Sequence, residues 1–244
     1  MHRVRGRRWP MVVAVCLWGV ACFVGAQIVV SVVLNTLLVL RVVSIGNLQT
    51  NTASIVVSTI VYALLLVLLL GVPAVLFRWR TSLGNLGLSR PITWSDYPIA
   101  ILGIVVYFAL ASVVLWMADF LPWVNINQAQ EIGIVSPNPS ELIQAFILLV
   151  VVAPVVEEII FRGYLYGEIR RRGVSFWLTT LIVSVLFGVA HMQWNVGISV
   201  FVLSIVMCVA REKTHSIWPS ILMHMLKNGI AYYALFIIGL HTGG

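Results

Sequence analysis

The chain has 244 residues, 61% hydrophobic and 9% charged, against roughly 25% charged in soluble domains, and this excludes a water-soluble globule. The formal charge of +7 arises from basic residues dispersed at the ends of apolar runs. That pattern excludes a nucleic-acid surface and reports membrane topology instead.

In chain order, apolar runs long enough to cross a hydrocarbon core of ~30 Å predict seven spans. They cover Met11 to Leu40, Ala53 to Phe77, Tyr97 to Ala118, Glu141 to Arg162 and beyond, Ser175 to Met192, Val196 to Ala210, and Ile217 to Leu240. The expectation is an all-α, polytopic helical membrane protein: one membrane domain over 1–244, with N-terminal spans and loops over 1–139 and a motif-bearing four-helix catalytic core over 140–240. The basic start, Met1 to Pro10, is similar to a signal peptide, but the apolar run behind it is too long and is read as a retained first span. Arg3, Arg5, Arg7 and Arg8 precede the first span, Arg78, Arg80 and Arg90 follow the second, Arg170, Arg171 and Arg172 the fourth, and Arg211 and Lys213 the sixth. By the positive-inside rule the N-terminus is expected in the cytoplasm. The Asn125 to Pro139 loop, rich in Pro and Asn, is expected to be irregular and to cap the outer face. Cys16, Cys22 and Cys208 have no metal-type spacing and read as buried apolar side chains.

Ionisable groups inside spans are concentrated in the last four: Glu157, Glu158, Arg162, His191, His224 and Lys227, together with Asn228. A charge at the centre of a membrane helix costs about 2.5 to 3.5 kcal/mol on insertion scales, so such residues usually serve a function. Glu157 lies 16 residues before Gly173 and His191 lies 18 after it. Both are therefore ~24 to 27 Å from the hairpin tip and should meet at one depth. Glu158 and Arg162 have the i, i+4 spacing of a helical ion pair, and Glu157 points about 100° away, toward a cavity. The same spacing puts Phe187 and His191 on one face, and His224 and Asn228 on another. Pro154, one turn before Glu157, should kink its helix. Lys227 reads as a snorkelling or carboxylate-pairing residue, and His215 and His2 as solvent-facing.

Two histidines, a carboxylate and an amide suit attack of water on a carbonyl. A desolvated glutamate serves as general base, a histidine orients the water or shares its proton, and a histidine and amide donate to the oxyanion. The same groups could instead hold zinc or another divalent metal through Glu157, His191 and His224, with a position left for water. No His-Glu-x-x-His motif is present.

Glu157-Glu158-x-x-x-Arg162, Phe187-x-x-x-His191 and His224-x-x-x-Asn228, in this order on successive apolar segments, resemble the CPBP family of intramembrane proteases, which includes the type II CAAX-prenyl endopeptidases and bacterial Abi-type proteins. The resemblance covers about Glu141 to Ala234, with a fainter echo in Leu83-Gly84-Asn85-Leu86-Gly87-Leu88-Ser89-Arg90-Pro91. It implies a seven- or eight-helix membrane fold. It also implies that Glu157 and His191 activate water, that His224 with Asn228 stabilises the oxyanion or binds metal, and that Glu158, Arg162 and Phe187 support them. Family members are described both as metalloproteases and as metal-independent glutamate proteases. The expected substrate is a membrane-embedded or lipidated peptide or protein. Arginine-rich, lysine-poor usage suggests a bacterial plasma-membrane member, in which prenylation of the substrate is not expected. Two rivals are a catalytically silent scaffold or immunity protein on the same fold, and a proton-coupled transporter. The second lacks the inverted repeats it would need.

Overall fold

The computed structural model describes residues 8–44, 46, 50–76, 81–126 and 137–239. Arg3, Arg5, Arg7, His2, Arg78, Arg80, the side chain of Arg8 and residues 127–136 of the expected outer loop lie outside them. The described residues form helices and turns: α1 Arg8–Val39, α2 Asn51–Leu76, α3 Leu83–Leu86, α4 Asp96–Ala118, α5 Pro139–Arg171, α6 Phe176–Val189, α7 Trp194–Thr214 and α8 Trp218–Ile238. Six of these are long and apolar enough to cross a membrane, which makes the chain a polytopic helical membrane protein. The span expected over Ser175 to Met192 is shorter: α6 has 14 residues, because the chain turns at Ala190 and Met192 takes a left-handed conformation, φ 55°. It covers only ~21 Å at 1.5 Å per residue.

The chain divides into two compact units. The first holds Met1–Thr81 and Ile132–Val156, the second Ser82–Glu131 and Glu157–Gly244. The division falls inside α5, and α4 joins the motif-bearing helices in the second unit.

In the first unit, Thr50 caps α2 through its hydroxyl, which accepts from Ala53 N at 3.1 Å. Asn138 and Glu141 form a capping box at the start of α5, and Glu141 also accepts from Asn51 Nδ2 at 2.9 Å. Such boxes satisfy amide groups that a helix start leaves open. Wide π-helical stretches occur at Val67–Gly71, just before Pro73, and at Ile147–Val152, just before Pro154. Proline offers no amide hydrogen to the carbonyl four residues back and crowds it, so the helix must re-register there. In α2 the carbonyl so deprived is Leu69 O, and it accepts the indole N–H of Trp18 at 3.3 Å.

In the second unit, Ala100, Ile104, Tyr107 and Ala111 repeat at helical spacing on one side of α4 and pack with Phe187, Val200, Leu203, Met207 and Met223. The buried Asp96 fixes the start of α4: it accepts from both Arg90 Nη atoms at 2.7 and 2.6 Å and from Thr93 N at 2.8 Å. Those hydrogen bonds hold the Arg90 guanidinium above its usual pKa.

Candidate active site

The site begins on the second half of α5, where Glu158 and Arg162 are both 0% exposed. Arg162 Nη1 donates to Glu158 Oε1 at 2.9 Å, so the i, i+4 ion pair read from the sequence is present. The helix is π-wide over Ile159–Leu165, and the pair forms across that widening. The Arg162 guanidinium lies over the ring of Phe187, 4.3 Å from its centroid, so a cation that has left water gains a π-face as well as a carboxylate. Phe187, fully buried, is the hub of the aromatic contacts. Phe161, His191 and His224 stand edge-on to its ring at 4.8, 5.0 and 5.7 Å.

His224, on α8 and almost fully buried, stands between the two glutamates. Its Nδ1 is 3.0 Å from Glu158 Oε1 and its Nε2 is 3.8 Å from Glu157 Oε2. Glu158 therefore receives a guanidinium and an imidazole on one oxygen, and it orients a motif histidine as well as balancing Arg162. Spacing within α5 cannot reveal that contact, because 66 residues separate the partners. Glu157, rotated away as expected, keeps 17% of its side chain exposed.

His191 lies in the turn after α6, not on the helix as expected. Its Nδ1 is 2.9 Å from Phe187 O. A carbonyl only accepts, so Nδ1 carries the proton and the neutral ring keeps its lone pair on Nε2. The turn is placed by a close helix crossing. A Cβ on Gly188 would come within 2.9 Å of Gly197 O, and one on Gly197 would come equally close to Gly188 O, so only glycines allow α6 and α7 to approach here. His191 has Glu157, Lys227 and His224 within electrostatic reach, and Lys227 has Glu157. The two glutamates, two histidines, Arg162 and Phe187 are thus brought together. Asn228 is half-buried one turn beyond His224.

The Leu83 to Pro91 segment has a structural role that its sequence did not disclose. Gly87 ends α3 in the left-handed region, φ 74°, and its carbonyl accepts from Ile217 N at 3.1 Å, just before α8. Leu86 and Asn85 lie against Gly163 and Gly167 of α5, where added Cβ atoms would press on the Leu86 and Asn85 carbonyls. Arg211 of α7 donates from Nη2 to Asn85 O at 3.0 Å and from Nε to Arg162 O at 3.3 Å. One turn thereby ties α5, α7 and α8 together behind the ion pair. Nearby, Arg170 and Tyr166 of α5 both donate to Glu212 of α7. His215 is exposed, as expected, while Cys22 and Cys208 are buried and Cys16 half-buried.

The donors at this site are of the kinds zinc takes. As the side chains stand, no three His, Cys, Asp or Glu among the described residues are placed to hold one ion. His224 engages Glu158 and His191 engages Phe187 O through their Nδ1 atoms, which leaves each ring its Nε2. The placement of these side chains among the described residues does not make a three-ligand metal centre.

Residues 139–230 match the family model described as type II CAAX prenyl endopeptidase Rce1-like. Among curated proteins, the membrane-embedded CAAX protease MroQ of Staphylococcus aureus (strain USA300) is 29% identical over 147 residues, which is 54% of this chain and 55% of that protein. The putative membrane peptidase YdiL of Bacillus subtilis (strain 168) is 29% identical over 92 residues, 36% of this chain and 37% of its own length. An uncharacterised 24.3 kDa protein of Escherichia coli is 30% identical over 89 residues, 35% and 41% of the two chains. The chain spans about half the length, or less, of these relatives, and no solved structure matches it. The matched segment holds Glu157, Glu158, Arg162, Phe187, His191, His224 and Asn228, and over it the chain is similar to the type II CAAX prenyl endopeptidase Rce1-like family.

Proposed function

We propose that the protein is an intramembrane endopeptidase that hydrolyses a peptide bond of a membrane-associated or lipidated substrate, with water activated by Glu157. The observation that carries this reading is His224 held between Glu158 and Glu157, at 3.0 and 3.8 Å. An orienting carboxylate, an imidazole and a partly exposed second carboxylate place a hydrogen-bond donor beside a general base at a reacting carbonyl.

In this mechanism Glu157 takes a proton from water as its oxygen attacks the scissile carbonyl carbon, and His191, with its lone pair on Nε2, holds that water. With a proton on each ring nitrogen, His224 donates Nδ1–H to Glu158 and Nε2–H to the developing oxyanion, assisted by Asn228. Glu157 then passes its proton to the leaving amine as the C–N bond breaks, and the carboxylate is restored. Glu158 and Arg162 position His224, and Phe187 packs the site.

MroQ is named as a CAAX protease and YdiL as a putative peptidase, which supports the reaction class. For this chain we favour a membrane peptide that need not be prenylated, in a bacterial plasma membrane with the N-terminus in the cytoplasm. The direct test compares purified wild type and Glu157→Gln in detergent against farnesylated and plain peptide libraries. Cleavage by wild type alone supports the reading. Absence of cleavage of any membrane peptide by wild type would favour a silent scaffold on the same fold. A glutamate mechanism of this kind further predicts that stringent chelation leaves turnover unchanged. Loss on chelation with recovery on added zinc would replace the glutamate mechanism by a metal-assisted one.

A further inference from the structure

The second unit holds buried polar atoms without hydrogen-bond partners, among them Glu158 Oε2, Arg162 Nε and Nη2, Thr180 Oγ1, Ser184 Oγ and Ser204 Oγ. Every one of these residues is at most 2% exposed. Thr180, Ser184 and Phe187 are spaced by four and three residues on α6 and share a face, and that face meets Arg162 through the Phe187 ring. On α7, Cys208 lies one turn from Ser204 and is within reach of both Ser204 and Arg162. The orphaned groups therefore come from α5, α6 and α7, three helices that meet at the Phe187 ring and at Cys208 beside the Arg162 guanidinium.

Buried donors and acceptors that find no protein partner are costly, at about 1 to 3 kcal/mol each and more when charged. Several around one residue call for a bound group that satisfies them together. Its chemistry follows from the atoms present. Arg162 supplies N–H donors, Glu158 Oε2 only accepts, and the three hydroxyls do both. An anion would meet the Glu158 carboxylate, and a cation would meet the guanidinium. Water, with two donors and two acceptors, suits all six atoms and typically makes about three hydrogen bonds when buried.

We propose that Glu158, Arg162, Thr180, Ser184 and Ser204 form an internal water-binding site, whose waters bridge the second oxygen of Glu158 and the outer nitrogens of Arg162 to the hydroxyls of α6 and α7. These waters hydrate the ion pair that orients His224, so that two charges persist inside a membrane domain without contact with bulk solvent.

Two measurements on the full chain in detergent test the site. X-ray radiolysis makes hydroxyl radicals from bound as well as bulk water, and these label the side chains that the water touches. Cys208 and Cys22 are shielded about equally, at 0% and 3% exposure, and among the described residues α1, which carries Cys22, has no orphaned polar atom. Cys208 is expected to oxidise several-fold faster than Cys22, and equal or slower labelling overturns the proposal. The second measurement is the melting temperature of the combined Thr180→Val, Ser184→Ala and Ser204→Ala variant. A hydroxyl bonded to water is lost at a cost, whereas removing a dry orphan is stabilising. The variant is expected to melt about 2 to 4 °C lower for each hydroxyl removed, and an unchanged or higher melting temperature overturns the site. Because labelling uses the wild-type protein, it decides the question even if the variant fails to fold.

Discussion

The two units of the chain use polar atoms differently. In the first, polar side chains mostly serve the backbone: Thr50 and Asn138 cap helix starts, and the indole of Trp18 takes up a carbonyl that Pro73 leaves without its donor. In the second, charged side chains mostly serve one another. Glu158 binds Arg162 and His224, Glu168 binds Arg171 and Arg172, Asp96 binds Arg90, and Glu212 binds Arg170 and Tyr166. Backbone repair requires only short polar groups near helix ends or breaks. Mutual pairing requires charges deep inside, and it survives only where each charge finds its counterpart on a fixed helix. The proposed chemistry suits the second unit for that reason: groups already held at set distances lose little freedom when they act.

The comparison would break most visibly at the reacting groups. Glu157→Gln and His191→Ala should each lower turnover by about 10²-fold or more, while the proteins still purify as monodisperse species. Glu157→Gln removes a carboxylate half withdrawn from solvent and should leave the melting temperature unchanged or raise it. Near wild-type cleavage by either variant would remove that residue from the mechanism.

A smaller effect, on stability rather than chemistry, is expected at the buried pair. Arg162→Ala leaves Glu158 charged and without its guanidinium, and breaking a buried pair in this way typically costs about 3 to 5 kcal/mol. Glu158→Gln should be milder, because the amide oxygen still accepts from both Arg162 and His224. It exchanges a carboxylate for a neutral acceptor beside His224, so turnover should fall even where the protein stays folded. Thermal melts and steady-state rates measured on the same preparations separate the two effects. A Glu158→Gln protein that is fully active would leave Glu158 with a packing role alone.

Next in size is the junction behind the pair. Gly167→Ala drives a methyl group into the Asn85 carbonyl, where backbone rather than a flexible side chain must yield, and should destabilise by roughly 1 to 3 kcal/mol. Gly103→Ala, which meets the side chain of Met223, should cost less, since a methionine can re-pack. Reversed ranking in thermal melts would show that the Leu83 to Pro91 turn is not firmly docked.

Much of this was legible in the chain itself. Hydropathy placed the spans to within a few residues at most ends, and the Glu158 to Arg162 spacing reported a real contact, because both signals are local. The contact between His224 and Glu158, the reach of Arg211 to the Arg162 carbonyl and the docking of Asn85 on Gly167 join residues far apart in sequence and leave no periodic trace. The π-wide turns were also hidden. Pro73 and Pro154 announce a fault in the hydrogen-bond ladder, but whether the helix kinks or widens depends on what can take up the freed carbonyl. The end of α6 was misread because Ala190 and Met192 are as apolar as the helix before them, and no glycine or proline marks the turn.

The smallest expected effect tests the backbone-repair half of the comparison. Trp18→Phe keeps most of the ring but removes the N–H that serves Leu69 O, a neutral hydrogen bond whose loss costs about 1 kcal/mol. If the indole replaces a donor that Pro73 lacks, the cost depends on the proline. In a Pro73→Ala background residue 73 regains its amide hydrogen, the helix can close onto Leu69 O by itself, and Trp18→Phe should become nearly neutral. The coupling measured by this double-mutant cycle is expected to approach the single-mutant cost of Trp18→Phe. Equal costs in the two backgrounds would mean that Trp18 contributes by packing alone and that the π-wide turn before Pro73 satisfies its carbonyls without help.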